Sequence, residues 1–255
     1  MTANLELVAL SGLPEISAGD DLGALLASAA ECGDVALNDD DAIVVSQKVV
    51  SKAEGRVRRL DQVEPGERAV ELAGRLGKDP RLVELVLAES RRIVRAERGV
   101  LIVETHGGWI CANAGIDASN VPGDGTVVLL PEDPDASARH LRAAIAAACG
   151  QRPAVVIADS FGRPWRIGQA DAAIGCAGLR ALDDWRGRTD AHGRELTATV
   201  VAIADELAAA ADLARDKASG GPAVLVRGAG AWRTDEDGLG AAAALQRAAV
   251  EDLFR

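Results

Sequence analysis

Asp159 ends a short apolar run, Ala154-Val155-Val156-Ile157-Ala158, and Ser160 follows at once. Gly162, Arg163, Pro164, Trp165, Arg166 and Gln169 come next. A carboxylate at the end of a buried strand is held rigidly, which suits a metal ligand. The planar forks of Arg163 and Arg166 match carboxylate or phosphate oxygens. An ordinary surface loop whose arginines pair with structural acids accounts for the same residues, and Trp165 serves a core or a lid as well as a stacking surface. A second oxygen-rich segment is Asn113-Ala114-Gly115-Ile116-Asp117-Ala118-Ser119-Asn120. One carboxylate and two amides so close together fit Mg2+ or Mn2+, hard cations that use one or two carboxylates beside substrate phosphates. The competing account is an Asx-rich turn that satisfies its own backbone. A third segment, Ser46-Gln47-Lys48-Val49-Val50-Ser51-Lys52-Ala53-Glu54-Gly55, closes a strand with two lysines and two hydroxyls. Lysine as a point charge suits phosphate oxygens, although a solvated strand end reads the same way.

Other patterns carry less. Gly74 to Asp79 contains a Gly-Lys pair without P-loop spacing or the final hydroxyl, and reads as a helix C-cap. Gly228-Ala229-Gly230 lacks the third glycine of a dinucleotide turn. Asp205 and Glu206 open an alanine-rich helix, where the dipole alone favours acids. His106, His140 and His192 are scattered, with no defensible triad. Cys32, Cys111, Cys149 and Cys176 form no CxxC pair and read as buried free thiols rather than a zinc cage. The formal net charge of −11 repels nucleic acid and anionic membrane, and no basic stripe with interleaved aromatics offsets it. No apolar run reaches the roughly 20 residues of a membrane span. Met1 to Leu10 carries no basic leader or signal-type stretch, so the expected location is cytoplasmic.

The elements that must position these groups are mixed. Strands are expected at Leu5–Leu10, Ala42–Val50, Arg91–Val94, Val100–Glu104, Trp109–Ala112, Val127–Leu130, Ala154–Ala158 and Ala223–Val226. Helices are expected at Leu22–Ala30, from Pro80 to about Ser90, from Pro134 to about Cys149, at Ala202–Lys217 and at Gly240–Leu253. Asp79-Pro80 and Asp133-Pro134 are N-cap signatures with proline at the first helical position. Ser160 to Gln169 is expected to be a loop. Without a regular βαβ rhythm the chain is α+β, or irregular mixed α/β, not a Rossmann domain. Its 255 residues suffice for one or two compact domains.

Five segments in unbroken order carry a resemblance. Gly12-Leu13-Pro14-Glu15-Ile16 with Gly19-Asp20-Asp21-Leu22, Ser46 to Arg56, Cys111 to Val121, Leu130 to Arg139 and Asp159 to Arg166 resemble the signatures of the coenzyme F420:L-glutamate ligases, also called F420 γ-glutamyl ligases. The likeness runs from about residue 5 to 230. It implies a single domain over residues 1–255 with a two-part α+β fold, working as a homodimer. It implies GTP-dependent amide formation between L-glutamate and a deazaflavin F420 precursor, with Mg2+ or Mn2+, two cations in all, assisted by K+. By position, Leu13, Pro14, Glu15 and Ile16 lie on GTP, as do Gln47, Asn120 and Lys52, the last near phosphate. Asp117 and Asp159 hold one cation and Ser160 helps a second. The stretch from Arg215 to Pro222 closes on the nucleotide. Ser160 stands where many members have Thr, His106-Gly107 where Arg-His is expected, and Lys217 where some members have a metal-assisting Gln. The nitroreductase-like second domain of actinobacterial relatives is not expected here. A metal-dependent phosphohydrolase using the same two aspartates is the alternative enzyme, and a non-catalytic nucleotide-binding protein the alternative of another class.

Overall fold

The computed structural model describes residues 4–119, 123–215 and 221–253. Its strands are β1 (Glu6–Leu10), β2 (Ala42–Ser46), β3 (Val57–Arg59), β4 (Ser90–Glu97), β5 (Val100–Thr105), β6 (Ile110–Ala112), β7 (Thr126–Val128), β8 (Ala154–Arg163), β9 (Arg166–Ala177), β10 (Asp183–Asp184), β11 (Val200–Val201) and β12 (Ala223–Arg227). Its helices are α1 (Leu22–Cys32), α2 (Gln47–Ala53), α3 (Glu67–Leu76), α4 (Pro80–Ala88), α5 (Pro134–Cys149), α6 (Ile203–Ala214) and α7 (Gly240–Leu245). The α+β expectation holds: among the described residues, four separate sheets and seven helices form no closed barrel and no doubly wound array.

The main sheet has the order β1-β12-β2-β8-β9. Only β2 and β8 are parallel neighbours. Both central strands are apolar on both faces, as a sheet covered on two sides requires. Ile43, Val45, Val155 and Ile157 join Leu26 of α1 and Ile145 of α5 in one core layer. Ala42, Val44 and Val156 join Ile203 and Leu207 of α6 in the other. Each fully buried Leu or Ile contributes roughly 1.5–3 kcal/mol. A third core lies away from this sheet. There Ala69, Leu72, Ala73 and Leu76 of α3, at helical spacing, meet Val83 and Val86 of α4 and Leu101 and Val103 of β5.

Buried polar groups tie the layers together. Asp135 at the start of α5 accepts from the amides of Cys176, Ala241 and Ala242. Arg142, with no exposed surface, donates to Asp237 and to the carbonyls of Pro153 and Thr234. Gly77 ends α3 in the left-handed conformation, the C-cap expected there.

Four expectations differ. Ala42–Val50 is not one strand: it switches at Ser46 into α2. β-branched residues continue past the switch, and Val49 and Val50 bury against the first core from a helix instead. Ser160–Gln169 is not a loop but the far half of a hairpin, β8 turning into β9 at Pro164-Trp165. The expected C-terminal helix stops at Leu245, followed by a short 3-10 turn at Ala249–Glu251. The cysteines divide as well: Cys111 and Cys176 are buried, but Cys32 and Cys149 are exposed, because both end their helices.

Candidate functional site

The parallel pairing of β2 with β8 sets Ser46 beside Ala158. The β2–β8 pairing ends there, although β8 continues to Arg163 beside β9, so Gln47, Lys48 and Asp159 follow the last paired residues at the same level of the sheet. Carboxyl ends of neighbouring parallel strands are where such sheets hold ligands. A cleft of about 1620 Å3 opens here, lined by Lys48, Lys52, Asp117, Asp159 and Ser160 among others.

Asp117 arrives from the side of the third core, which its neighbour Ile116 joins. Its backbone exchanges both hydrogen bonds with Val128, so β7 fixes its position. The turn before it is strained: Asn113, Ala114 and Gly115 have φ of 52°, 55° and 70°. Two successive non-glycine residues in this region cost roughly 1–2 kcal/mol each. Gly115 admits no side chain, since a Cβ would stand 2.7 Å from Leu130. The Asp117 carboxylate meets Lys48 Nζ at 2.8 Å and accepts from the Ser119 amide at 2.6 Å. Burial works against its charge, but Lys48 and Ser119 outweigh that and hold the carboxyl below the usual range.

Asp159 has the opposite balance. Burial pushes its carboxyl up to about 6, and the nearby Asp117 charge adds to the rise. The Ser160 amide, Lys48 and the Gln47 side chain pull it down less. Two carboxylates thus line one cleft and feel each other's charge, and the Lys48 ammonium, paired with Asp117, acts on both. All the donors are oxygen. Asn113 Oδ1, in the wall of the same cleft, is buried and unpaired. Such a donor set fits a hard divalent cation rather than a thiolate-seeking metal.

A second network adjoins the first. Ser160 Oγ donates to Asp171 Oδ1 at 2.6 Å. Asp171 is 4% exposed and also pairs with Arg215, which reaches Asp212 at 3.5 Å. Elsewhere in the cleft, Lys52 Nζ donates to Glu15 Oε1 at 2.6 Å.

Residues 12–228 match the family described as F420-0:Gamma-glutamyl ligase. The chain belongs to that family. The coenzyme F420:L-glutamate ligase of Methanothermobacter thermautotrophicus is 45% identical to it over 88% of the chain and 89% of the relative. The ligase of the same name from Methanopyrus kandleri is 45% identical over 94% of each. That of Archaeoglobus fulgidus is 43% identical over 98% of the chain and 96% of the relative.

Against the family expectations, the structure gathers most of the named residues. Pro14, Glu15 and Ile16 line the cleft, while Leu13 packs on the first core. Gln47 has no exposed surface and does not line the cleft; its Oε1 accepts from Ser51, and its Nε2 is buried with no hydrogen-bond partner among the described residues. Asn120 and Lys217 lie outside the described residues, as does most of the 215–222 stretch. Arg163 lines the cleft and Arg166 does not. Asp205 is structural: its carboxylate accepts from the Ala173 amide and pins α6 to β9. His106 bonds the Ala88 carbonyl. Cys111, pushed up to about 12 by burial and by the Asp159 charge, is an inert thiol.

Sequence reasoning missed Lys48 as the partner of Asp117, Asp171 as the partner of Ser160, and Arg215 as the partner of Asp171. For Asp171 the signal was present. A lone acid inside Ala170-Asp171-Ala172-Ala173-Ile174 is a buried charge that needs partners.

Proposed function

We propose that the protein is a GTP-dependent ligase that joins L-glutamate to the carboxylate of a coenzyme F420 precursor and then adds γ-linked glutamates. The observation that carries the reading is the meeting of Asp117 and Asp159, far apart in sequence, in one cleft with Lys48, Lys52 and Ser160. Membership of the F420-0:gamma-glutamyl ligase family and the printed activity of its relatives agree with it.

A carboxylate and an ammonium ion do not condense unaided. In the proposed route the acceptor carboxylate attacks the γ-phosphorus of GTP, and GDP leaves with the bridging oxygen. The glutamate α-amine then attacks the acyl carbon, phosphate departs and the amine gives up its proton. Phosphoryl transfer is mostly a matter of positioning and charge neutralisation. Asp117, Asp159 and Ser160 are the residues that would hold Mg2+ or Mn2+, which when bound neutralises the terminal phosphates. Lys52, anchored on Glu15, presents a cation toward phosphate, and Lys48 balances the carboxylate pair when phosphates are absent. Pro14, Glu15 and Ile16 form the nucleotide wall. The K+ requirement, the homodimer and the cytoplasmic location are part of the same proposal and rest on the family resemblance.

The test is direct. Purified protein with GTP, Mn2+, L-glutamate and the glutamate-free F420 precursor is followed by mass spectrometry. The expected products are the precursor with glutamates added and one GDP and one phosphate per addition. Phosphate release that is indifferent to glutamate and precursor would make the protein a phosphohydrolase and end the ligase reading.

A further inference from the structure

The cleft has an arm that the phosphate chemistry does not use. Its surface is the outer face of β4-β5-β6. Leu101 and Val103 of β5 point inward and are fully buried, so alternation turns Val100 and Ile102 outward. On β6, Cys111 points inward and Ile110 outward. A bulge in β4 between Ile93 and Arg95 adds Val94 to the lining. Val94, Val100 and Ile110 are 39%, 47% and 39% exposed. A contiguous apolar sheet face open to solvent marks a binding surface. The turn of the β8–β9 hairpin brings Phe161 and Trp165, the latter 81% exposed, to the same cleft.

Size and charge narrow the occupant. At about 1620 Å3 the cleft exceeds the roughly 300–1,000 Å3 usual for one small ligand. The apolar arm is continuous with the charged end, because Val94, Val100, Ile102 and Ile110 line the same cleft as Asp117 and Asp159. Arg163 lines the cleft too. Its guanidinium donates only to the carbonyls of Ile167 and Gly168 and has no carboxylate partner among the described residues. The arm thus offers flat apolar surface, one uncompensated cation and a path to the carboxylate pair.

We propose that this arm is the acceptor subsite, in which the β4-β5-β6 face receives the planar aromatic head of the acceptor while Arg163 meets an anionic group on its tail. The acceptor carboxylate is thereby directed to the end of the cleft that holds Asp117 and Asp159. The proposal rests on the ligase reading given above.

The double variant Val100→Ser, Ile110→Ser tests it. Both side chains are more than one-third exposed, so the third core is untouched. Titration calorimetry with the glutamate-free deazaflavin precursor should show roughly ten-fold weaker binding, the loss expected for two aliphatic contacts. GTP binding in the presence of Mn2+ should stay within about two-fold. The mass measured by light scattering should not change. Unaltered acceptor affinity, or no acceptor binding to the parent protein, overturns the subsite. Equal weakening of GTP assigns the face to the nucleotide base, and an altered mass assigns it to a second copy of the chain; either result overturns the proposal. A parent protein that binds the acceptor but adds no glutamate, beside a variant that binds it more weakly, sinks the ligase reading and leaves the subsite standing.

Discussion

Asp117 and Asp159 reach the same cleft from backbones of opposite character. Asp159 extends a strand whose preceding residues, Ala154 to Ala158, are almost wholly buried and hydrogen-bonded to neighbours on both sides. Asp117 follows a left-handed turn and is fixed by a single bridge to Val128. Their electrostatics are opposite too. Asp117 carries its charge cheaply, because Lys48 and Ser119 compensate it. Asp159 carries its charge at a cost, because burial dominates. A rigid strand end can hold a destabilised carboxylate in place; a turn can hold one only if local partners stabilise it. The pair therefore joins one fixed, under-compensated acid to one adjustable, compensated acid, a combination that leaves net attraction for a cation.

The largest effect is expected from Asp159→Asn. Glutamate addition should fall roughly a thousand-fold, as for loss of a ligand to a charge-neutralising cation. The stability should move the other way. The folded-state value of about 6 lies above the 3.8 ordinary for an aspartate, so the folded protein binds more protons than the unfolded chain between those values. Stability from this group then falls as pH rises through that window, and the penalty is complete above it. At 1.36 kcal/mol per unit the ceiling is about 3 kcal/mol, and roughly 1–3 kcal/mol is expected. In EDTA at neutral pH the Asn variant should melt higher than the parent, and the difference should vanish toward pH 4. A lower melting temperature at neutral pH would remove the asymmetry between the two acids. Asp117→Asn is the counterpart. It should cost roughly a hundred-fold in activity and lower stability slightly, by about 0.5–1 kcal/mol, since the Lys48 pair is partly exposed. Opposite signs of the two melting shifts, read by calorimetry, are the sharpest form of the comparison.

Much of this pair was legible in the sequence. The apolar run ending in Asp159 is read correctly as a strand, since a short buried β run has few alternatives. Asp79-Pro80 and Asp133-Pro134 locate two helix starts, and both aspartates cap as expected. Other elements were less clear. Helix α3 left only its C-cap glycine as a signal, and the strand-to-helix switch at Ser46 was masked by Val49 and Val50, whose β propensity tertiary packing overrides. Asp171 was hidden because the turn-like glycines and arginines of residues 162–169 read as a loop and no strand was expected after Gln169, where β9 runs on to Ala177. Lys48 could not be told from Lys52 by type. Helix α2 separates them, turning Lys48 toward Asp117 and Lys52 toward Glu15.

The smallest effect is expected at the third oxygen of the site, and it shows whether the strand's rigidity extends past Asp159. Ser160 follows Asp159 on the same strand, and its hydroxyl is oriented by Asp171, itself held by Arg215. A hydroxyl positioned this way contributes little to folding but fixes where a second cation would sit. Ser160→Ala should lower activity about ten-fold and raise the Mn2+ concentration for half-maximal rate by a similar factor. Ser160→Thr, which keeps the hydroxyl, should restore both. A merely structural role would change the melting temperature and leave the Mn2+ dependence where it was. An Ala variant with unaltered Mn2+ dependence would confine the cation chemistry to the two carboxylates, and the strand and the turn would then contribute one ligand each.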